Sequence, residues 1–397
     1  MKIIFLVISV LMYAGCGTHL KERQEKKQEQ TQPQQPQQPQ QPQQPQQPQQ
    51  PQQMQQVDNI YGVDVAFNDS WRVESGKVFD RGTEVRLKGI NYFGFEGSEL
   101  VVHGLWTGRS IESYLKQMKD LGFNSIRIPL SPQVFEAGFR STQRKQKPLD
   151  NLEDLLIIAK NYQLSILLDL HTCYYRSGLI GNPTACPNYD MAAWFNTLEK
   201  MTALSLKYPN ILGIDIFNEP YGLSWKQWQF LSSEAARKIL SINPRVLVFV
   251  EGVGNKETDN AGNSAFWGEN LVEAGNNLPN IPLSRLVLSP HVYGPSVAWQ
   301  GYFSDPTFPA NMETIWESHF GYLIQKGFTL MVGEFGGRYT DKDRIWQDKF
   351  VEYLLKNNMR NNYYWSWNPN SGDTGGILYD DWNTVNQDKM NLLRKLF

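Results

Sequence analysis

A chain of 397 residues with 41% hydrophobic and 20% charged residues can bury a sizeable core, as one large domain or two smaller ones. The formal net charge of -2 provides no basic field to hold nucleic acid or an anionic membrane, so neutral partners are favoured. Aromatics reach 13%, with 12 Trp and 18 Tyr, more than a core usually needs, and the surplus suits a surface that stacks on flat uncharged ligands.

Residues 1–15 carry Lys2, an apolar run from Ile3 to Tyr13 and the small residues Ala14 and Gly15, the pattern of an export signal too short to span a bilayer. Cys16 directly after small residues resembles a bacterial lipoprotein site, although Tyr13 stands where that pattern prefers Leu. Lipid anchoring at Cys16 and plain secretion both stay open, and the expected location is secreted, periplasmic or outer-surface. Cys173 and Cys186 then remain as an even pair, bonded in an oxidising compartment or left as two free thiols. A bridge would stabilise by roughly 3 kcal/mol in the chain-entropy model. Residues 16–56 are charged at first and then repeat Pro-Gln-Gln, and with almost nothing apolar to bury they are expected to form a disordered, extended spacer.

The remainder, 57–397, reads as one folded domain. Trp71 to Gly89 has turn signals at Ser75-Gly76 and Arg81-Gly82, which predict an N-terminal hairpin. Eight candidate strands follow: Val85 to Tyr92, Phe123 to Leu130, Leu164 to His171, Ile211 to Asn218, Arg245 to Gly252, Arg285 to Tyr293, Phe328 to Phe335 and Asn362 to Trp367. Amphipathic stretches alternate with them at Ile111 to Leu121, Leu152 to Asn161, Met191 to Tyr208, Trp228 to Ile242, Met312 to Lys326, Ile345 to Asn358 and Asp388 to Phe397. Eight such units predict an α/β fold, a single closed (β/α)8 barrel. An open doubly wound sheet is disfavoured because no Gly-rich turn follows the first strand, whereas polar residues end nearly every strand.

Those ends are Arg127, His171, Asn218 with Glu219, His291 with Tyr293, Glu334, and Trp367. One charged group in a strand is usually a satisfied core residue. Six such ends that a barrel gathers on one face are different, since burying each unneeded charge costs roughly several kcal/mol. Glu219 and Glu334, each at the tip of an apolar run, are the two carboxylates that glycoside hydrolysis requires.

The segments SIRIPL, LLDLH, FNEP, SPHVY, GEFG and WSWNPNSGDTGGIL, with VVHGLW (Val101 to Trp106) and YFSDPTFPANM (Tyr302 to Met312), resemble the family 5 glycoside hydrolases, and most of all bacterial endo-β-1,4-glucanases. The similarity runs from about Trp71 to the C-terminus. It implies a barrel with Glu219 as general acid/base and Glu334 as nucleophile, retaining stereochemistry, and carboxyl groups about 5 to 5.5 Å apart. Asn218 matches the residue that bonds the sugar 2-hydroxyl, and His171 and His291 bind hydroxyls or orient the carboxyls. Trp367 is expected as the floor under the sugar, and Trp267, Trp299, Trp106 and His103 along the cleft. Arg127 and Tyr293 are the groups expected to keep Glu334 ionised. The expected partner is a β-glucan chain, with mannan, xyloglucan and mixed-linkage glucan as alternatives, acted on by a monomer that needs no metal or cofactor. Tyr92 stands where relatives often carry Trp, and LDLHTCYYRSG departs from their third loop.

A metal-dependent hydrolase is disfavoured because no HxH follows the first strand, and Asp169 and His171 lie only two apart on one strand. A noncatalytic sugar-binding barrel is disfavoured by the presence of both glutamates.

Overall fold

The computed structural model describes residues 70–173, 190–254, 259 and 261–397. The export signal, Cys16, the Pro-Gln-Gln spacer and Cys186 lie outside these residues.

The expected hairpin is present as β1 (Trp71–Glu74), β2 (Lys77–Asp80) and β3 (Thr83–Val85), an antiparallel sheet in the order β1-β2-β3. Ser75-Gly76 and Arg81-Gly82 form its two-residue turns, and all four residues have positive φ, as a type I′ turn demands. The buried face of this sheet, Trp71, Val73 and Val78, packs on Leu167, Leu212, Leu247, Phe249, Val287, Met331 and Tyr363. These come from successive barrel strands, so the hairpin closes one end of the barrel over an apolar layer.

The barrel strands are β4 (Lys88–Asn91), β5 (Ser125–Leu130), β6 (Ser165–Leu170), β7 (Ile211–Asp215), β8 (Leu247–Val250), β9 (Leu286–Leu288), β10 (His291–Tyr293), β11 (Val332–Gly336) and β12 (Asn362–Tyr364). They pair in the order β10-β11-β12-β4-β5-β6-β7-β8-β9, every pair parallel. The two ends of this ladder, β9 and β10, are halves of one predicted strand, broken at Ser289-Pro290 because proline has no N–H to donate. The seam is closed around that break: Leu288 bridges Leu330 in parallel, Met331 N–H donates to Leu288 C=O (3.0 Å), and Gly333 N–H donates to Pro290 C=O (3.1 Å). The chain is therefore the eight-stranded closed barrel that was expected.

Seven of the helices are α1 (Ile111–Asp120), α2 (Pro148–Asn161), α3 (Met191–Lys207), α4 (Trp225–Ile242), α5 (Met312–Trp316), α6 (Tyr322–Gln325) and α7 (Asp341–Lys356), and α8 (Gln387–Arg394) ends the chain. Helices α2 and α4 begin earlier than their apolar pattern suggests. Proline at the first turn starts α2, and a capping box between Ser224 and Gln227 starts α4. The stretch expected as one helix from Met312 to Lys326 is α5 and α6 joined by a π turn at Glu317–Gly321. Outward-facing strand residues and the helices' apolar stripes make the main core, which contains Ile126, Ile128, Leu168, Ile214, Val248 and Val250.

Candidate active site

Alternation along the strands places Ile126 and Ile128 under the helices and sends Arg127 into the barrel. By the same rule Asp169 and Glu251 point inward, and Asp215 joins them at the end of β7. A charged layer thus lies above the apolar one, and Arg127 is its centre. Its Nε donates to Asp215 Oδ2 (3.0 Å), Nη1 to Asn91 Oδ1 (3.1 Å) and Glu334 Oε1 (2.5 Å), and Nη2 to Asn218 Oδ1 (3.0 Å) and Glu251 Oε1 (3.1 Å). Asp169 Oδ2 lies 3.1 Å from Nη2. Burial alone would lower the guanidinium's pKa, but four carboxylates raise it well above its ordinary value.

Glu334 reaches this centre through a bulge in β11. Val332 and Phe335 both face outward into the main core, and the register against β12 shifts between them, so Gly333 and Glu334 share the inward side. Gly333 has no room for a side chain there: a Cβ would sit 2.5 Å from Ser289 Oγ and 2.7 Å from His291 Nε2. Tyr293 donates its hydroxyl to Glu334 Oε2. Burial pushes the Glu334 carboxyl up, but the His291 and Arg127 charges outweigh it and hold the pKa below the usual carboxylate range.

Glu219 lies just past β7 in a left-handed conformation (φ 45), which costs a non-glycine residue about 1 to 3 kcal/mol. Its backbone N–H donates to Glu251 Oε2 (2.7 Å), which offsets part of that strain. The Glu219 carboxyl is pushed up to about 6, first by burial and further by the charge of Glu334, against the lowering hydrogen bond to His291. His291 links the two acids, with Nδ1 at 3.2 Å from Glu219 Oε1 and 3.6 Å from Glu334 Oε2, while Nε2 lies 3.1 Å from Glu251 Oε1. One oxygen of Glu219, one of Glu334 and a His291 nitrogen all lie within 4.8 Å of one another.

A cleft of about 460 Å³ opens over these groups, lined by His171, Asn218, Glu219, Phe266, Trp267, Tyr293, Glu334, Trp365, Ser371 and Asp373 among others. Asn218 Oδ1 accepts from Arg127 Nη2, and the buried Nδ2 of Asn218 has no partner among the described residues. His171 Nδ1 pairs with Asp169 Oδ2 at 2.7 Å. Trp267, Trp106 and Trp299 are 41%, 52% and 58% exposed. Only Trp267 lines the cleft itself, while Trp299 lies between two residues that do, Ala298 and Gln300. His103 touches Trp106 (5.4 Å between rings) and Phe93 (5.2 Å), and its Nδ1 lies 3.1 Å from Asn370 Nδ2. Cys173 is disulfide-bonded.

Trp367 is not the floor expected of it. Its backbone N–H donates to Asn91 C=O (2.8 Å), which draws the chain back against β4 and buries the indole completely. Trp365 lines the cleft instead, its ring nearly parallel to those of His171 (5.7 Å, 11°) and Phe93 (5.4 Å, 9°). Asp215 and Glu251 were also missed; their signal was a lone acid in an otherwise apolar run, in ILGID and LVFVEG.

Among the described residues, two groups have the ligand types and spacing for a cation, Asp215 with Glu251 and His291, and Glu219 with His291 and Glu334. Each set includes a carboxylate within 3.1 Å of the Arg127 guanidinium, which already supplies the positive charge a metal would bring.

Residues 79–371 match the family model described as Cellulase (glycosyl hydrolase family 5). The chain is 39% identical over 341 residues to the major extracellular endoglucanase of Xanthomonas campestris pv. campestris, covering 81% of this chain and 69% of that protein. It is 36% identical over 355 residues to an endoglucanase of Paenibacillus polymyxa, covering 82% and 86%. A cellotetraose complex of an endocellulase from Pyrococcus horikoshii superposes with a TM-score of 0.78 at 33% identity, covering 84% of this chain and 100% of that one.

Proposed function

The chain belongs to the cellulase family, glycosyl hydrolase family 5, and from that premise we propose that it cleaves internal β-1,4-glucosidic bonds of glucan chains by double displacement, with Glu334 as nucleophile and Glu219 as acid/base. The observation that carries this reading is the contrast between two carboxyls whose oxygens lie within 4.8 Å. That spacing fits a retaining pair and leaves no place for the water that an inverting pair holds between its carboxyls. One acid is kept protonated to about 6 and the other ionised.

In the first step a Glu334 oxygen attacks C1 while the Glu219 proton moves to the departing glycosidic oxygen. The C1–O bond breaks and a glycosyl ester of Glu334 forms. In the second step Glu219, now a carboxylate, takes a proton from water as that water's oxygen attacks C1, and Glu334 leaves as carboxylate. Asn218 supports the intervening oxocarbenium-like states by donating its free Nδ2 to the sugar 2-hydroxyl. Trp365 offers its ring as the apolar floor, and Trp267, Trp299, Trp106 and His103 extend the contact surface along the chain. Tyr293 and Arg127 keep Glu334 charged before attack.

We read residues 1–15 as an export signal, 16–56 as a spacer to the 57–397 domain, and Cys186 as the partner of Cys173. Release of reducing ends from carboxymethylcellulose, mixed-linkage glucan, xyloglucan, mannan and xylan tests the substrate class. The β-1,4-glucan substrates are expected to be fastest, with the rate abolished by Glu334→Gln. Mannan or xylan as the fastest substrate would overturn the glucan assignment.

A further inference from the structure

His319 lies outside the cleft, in the π turn between α5 and α6, and is completely buried. A π turn commonly marks a functional position in a helix. Its ring is placed between two buried carboxylates of the long loop after β8. Nδ1 is 2.9 Å from Glu269 Oε1, and Nε2 is 3.7 Å from Asp259 Oδ2. The backbone carbonyl of His319 also accepts the N–H of Leu271 (3.0 Å).

Each carboxylate shapes its own part of the loop. Asp259 accepts the N–H groups of Ala261 (2.9 Å) and Asn263 (2.7 Å), and Glu269 Oε2 accepts the N–H of Phe266 (2.7 Å). Trp267 lies between these two gripped points. The next residue, Gly268, has φ 76 and leaves no space for a side chain, since a Cβ would fall 2.8 Å from Glu251 Oε2. Its carbonyl accepts from Gly252 N–H (2.9 Å) and His291 N–H (3.2 Å). Trp267 meets Tyr221 at 4.9 Å, and Tyr221 follows the acid/base by two residues. Trp267 thus shares the cleft with Glu219, and because an acid at Glu219 meets the leaving part of the chain, a platform beside it serves that part.

We infer that His319 is a positioning residue for the leaving-group side of the glucan cleft, holding Trp267 in place by gripping the loop on both sides of it. The inference rests on the cleft being a glucan site. A sugar stacked on Trp267 gains only if the indole is already oriented, and a loop freed from Asp259 and Glu269 must be ordered by the substrate itself.

The test compares cellohexaose, which reaches Trp267, with an aryl cellobioside whose leaving group is a single ring. His319→Gln can keep a hydrogen bond to Glu269 but loses the ring that carries its charge 3.7 Å from Asp259 Oδ2. It is expected to raise KM for cellohexaose about tenfold, with kcat and the aryl substrate's kcat/KM within about twofold of wild type. Trp267→Ala is expected to raise KM for cellohexaose at least as much, and the double variant to be no worse than Trp267→Ala alone. Should His319→Gln fail to fold, Glu269→Gln goes through the same comparison with the same expectation. An equal loss on both substrates, full additivity with Trp267→Ala, or wild-type KM for cellohexaose would overturn the inference. If the wild-type protein does not cleave cellohexaose, the glucanase reading falls instead.

Discussion

Arg127 Nη1 and Glu334 Oε1 meet at 2.5 Å with the guanidinium fully buried and the carboxylate 3% exposed. The same guanidinium reaches Asp169, Asp215 and Glu251, so it both keeps the proposed nucleophile ionised and neutralises a layer of acids that would otherwise repel one another.

Arg127→Lys replaces a five-donor fork by a point charge with three donors. Three donors cannot serve Asn91, Asp215, Asn218, Glu251 and Glu334 at once. The expected result is a loss of about 3 to 5 kcal/mol in unfolding free energy, together with a kcat at least about a hundredfold lower. Denaturant unfolding and steady-state kinetics on the same preparation would check both.

Glu219 must carry its proton to act as acid, and its pKa stands at about 6. As pH rises through that value the proton is lost, so kcat/KM is expected to fall about tenfold per unit on the alkaline side. Glu334 must be ionised, and its pKa lies below the usual carboxylate range, so the acid-side fall begins only below that range. A pH profile that keeps rising above neutrality would assign the acid to another group.

Glu251 accepts from Arg127 and from the Glu219 N–H, and it faces His291 Nε2. In Glu251→Gln one of these donors must face an NH₂ group. Its charge also contributes to raising the Glu219 pKa. The variant is expected to lose at least about tenfold in kcat and to move the alkaline limb to lower pH, read from the same profile.

The two tryptophans of WSW separate by phenotype. Trp365→Ala removes a cleft surface and is expected to cut kcat/KM on glucan while leaving the melting temperature nearly unchanged. Trp367→Ala empties a fully buried site and is expected to cost about 3 to 5 kcal/mol of stability. Calorimetry and kinetics on both variants would distinguish them.

The barrel was legible because each strand is a short apolar run ended by a polar residue, and the hairpin because Ser75-Gly76 and Arg81-Gly82 carry type I′ turn chemistry. What could not be read depends on tertiary geometry. Trp365 and Trp367 have the same parity in the chain, and the backbone bonds that set them apart, Trp365 N–H to Phe335 C=O and Trp367 N–H to Asn91 C=O, form only in the folded barrel. Glu334 faces inward through a bulge, which no alternation rule foresees. Asp215 and Glu251 were visible as lone acids, yet their common partner Arg127 appears only when β5, β7 and β8 close into a ring.

The most direct test of the account is mechanism-based trapping with an activated 2-deoxy-2-fluoro-cellobioside, whose electronegative substituent slows breakdown of the glycosyl ester. The expected result is one fluorocellobiosyl group per protein, on the peptide containing Glu334, with activity returning as the ester turns over. Label on Glu219, or no adduct together with product of inverted anomeric configuration, would contradict it.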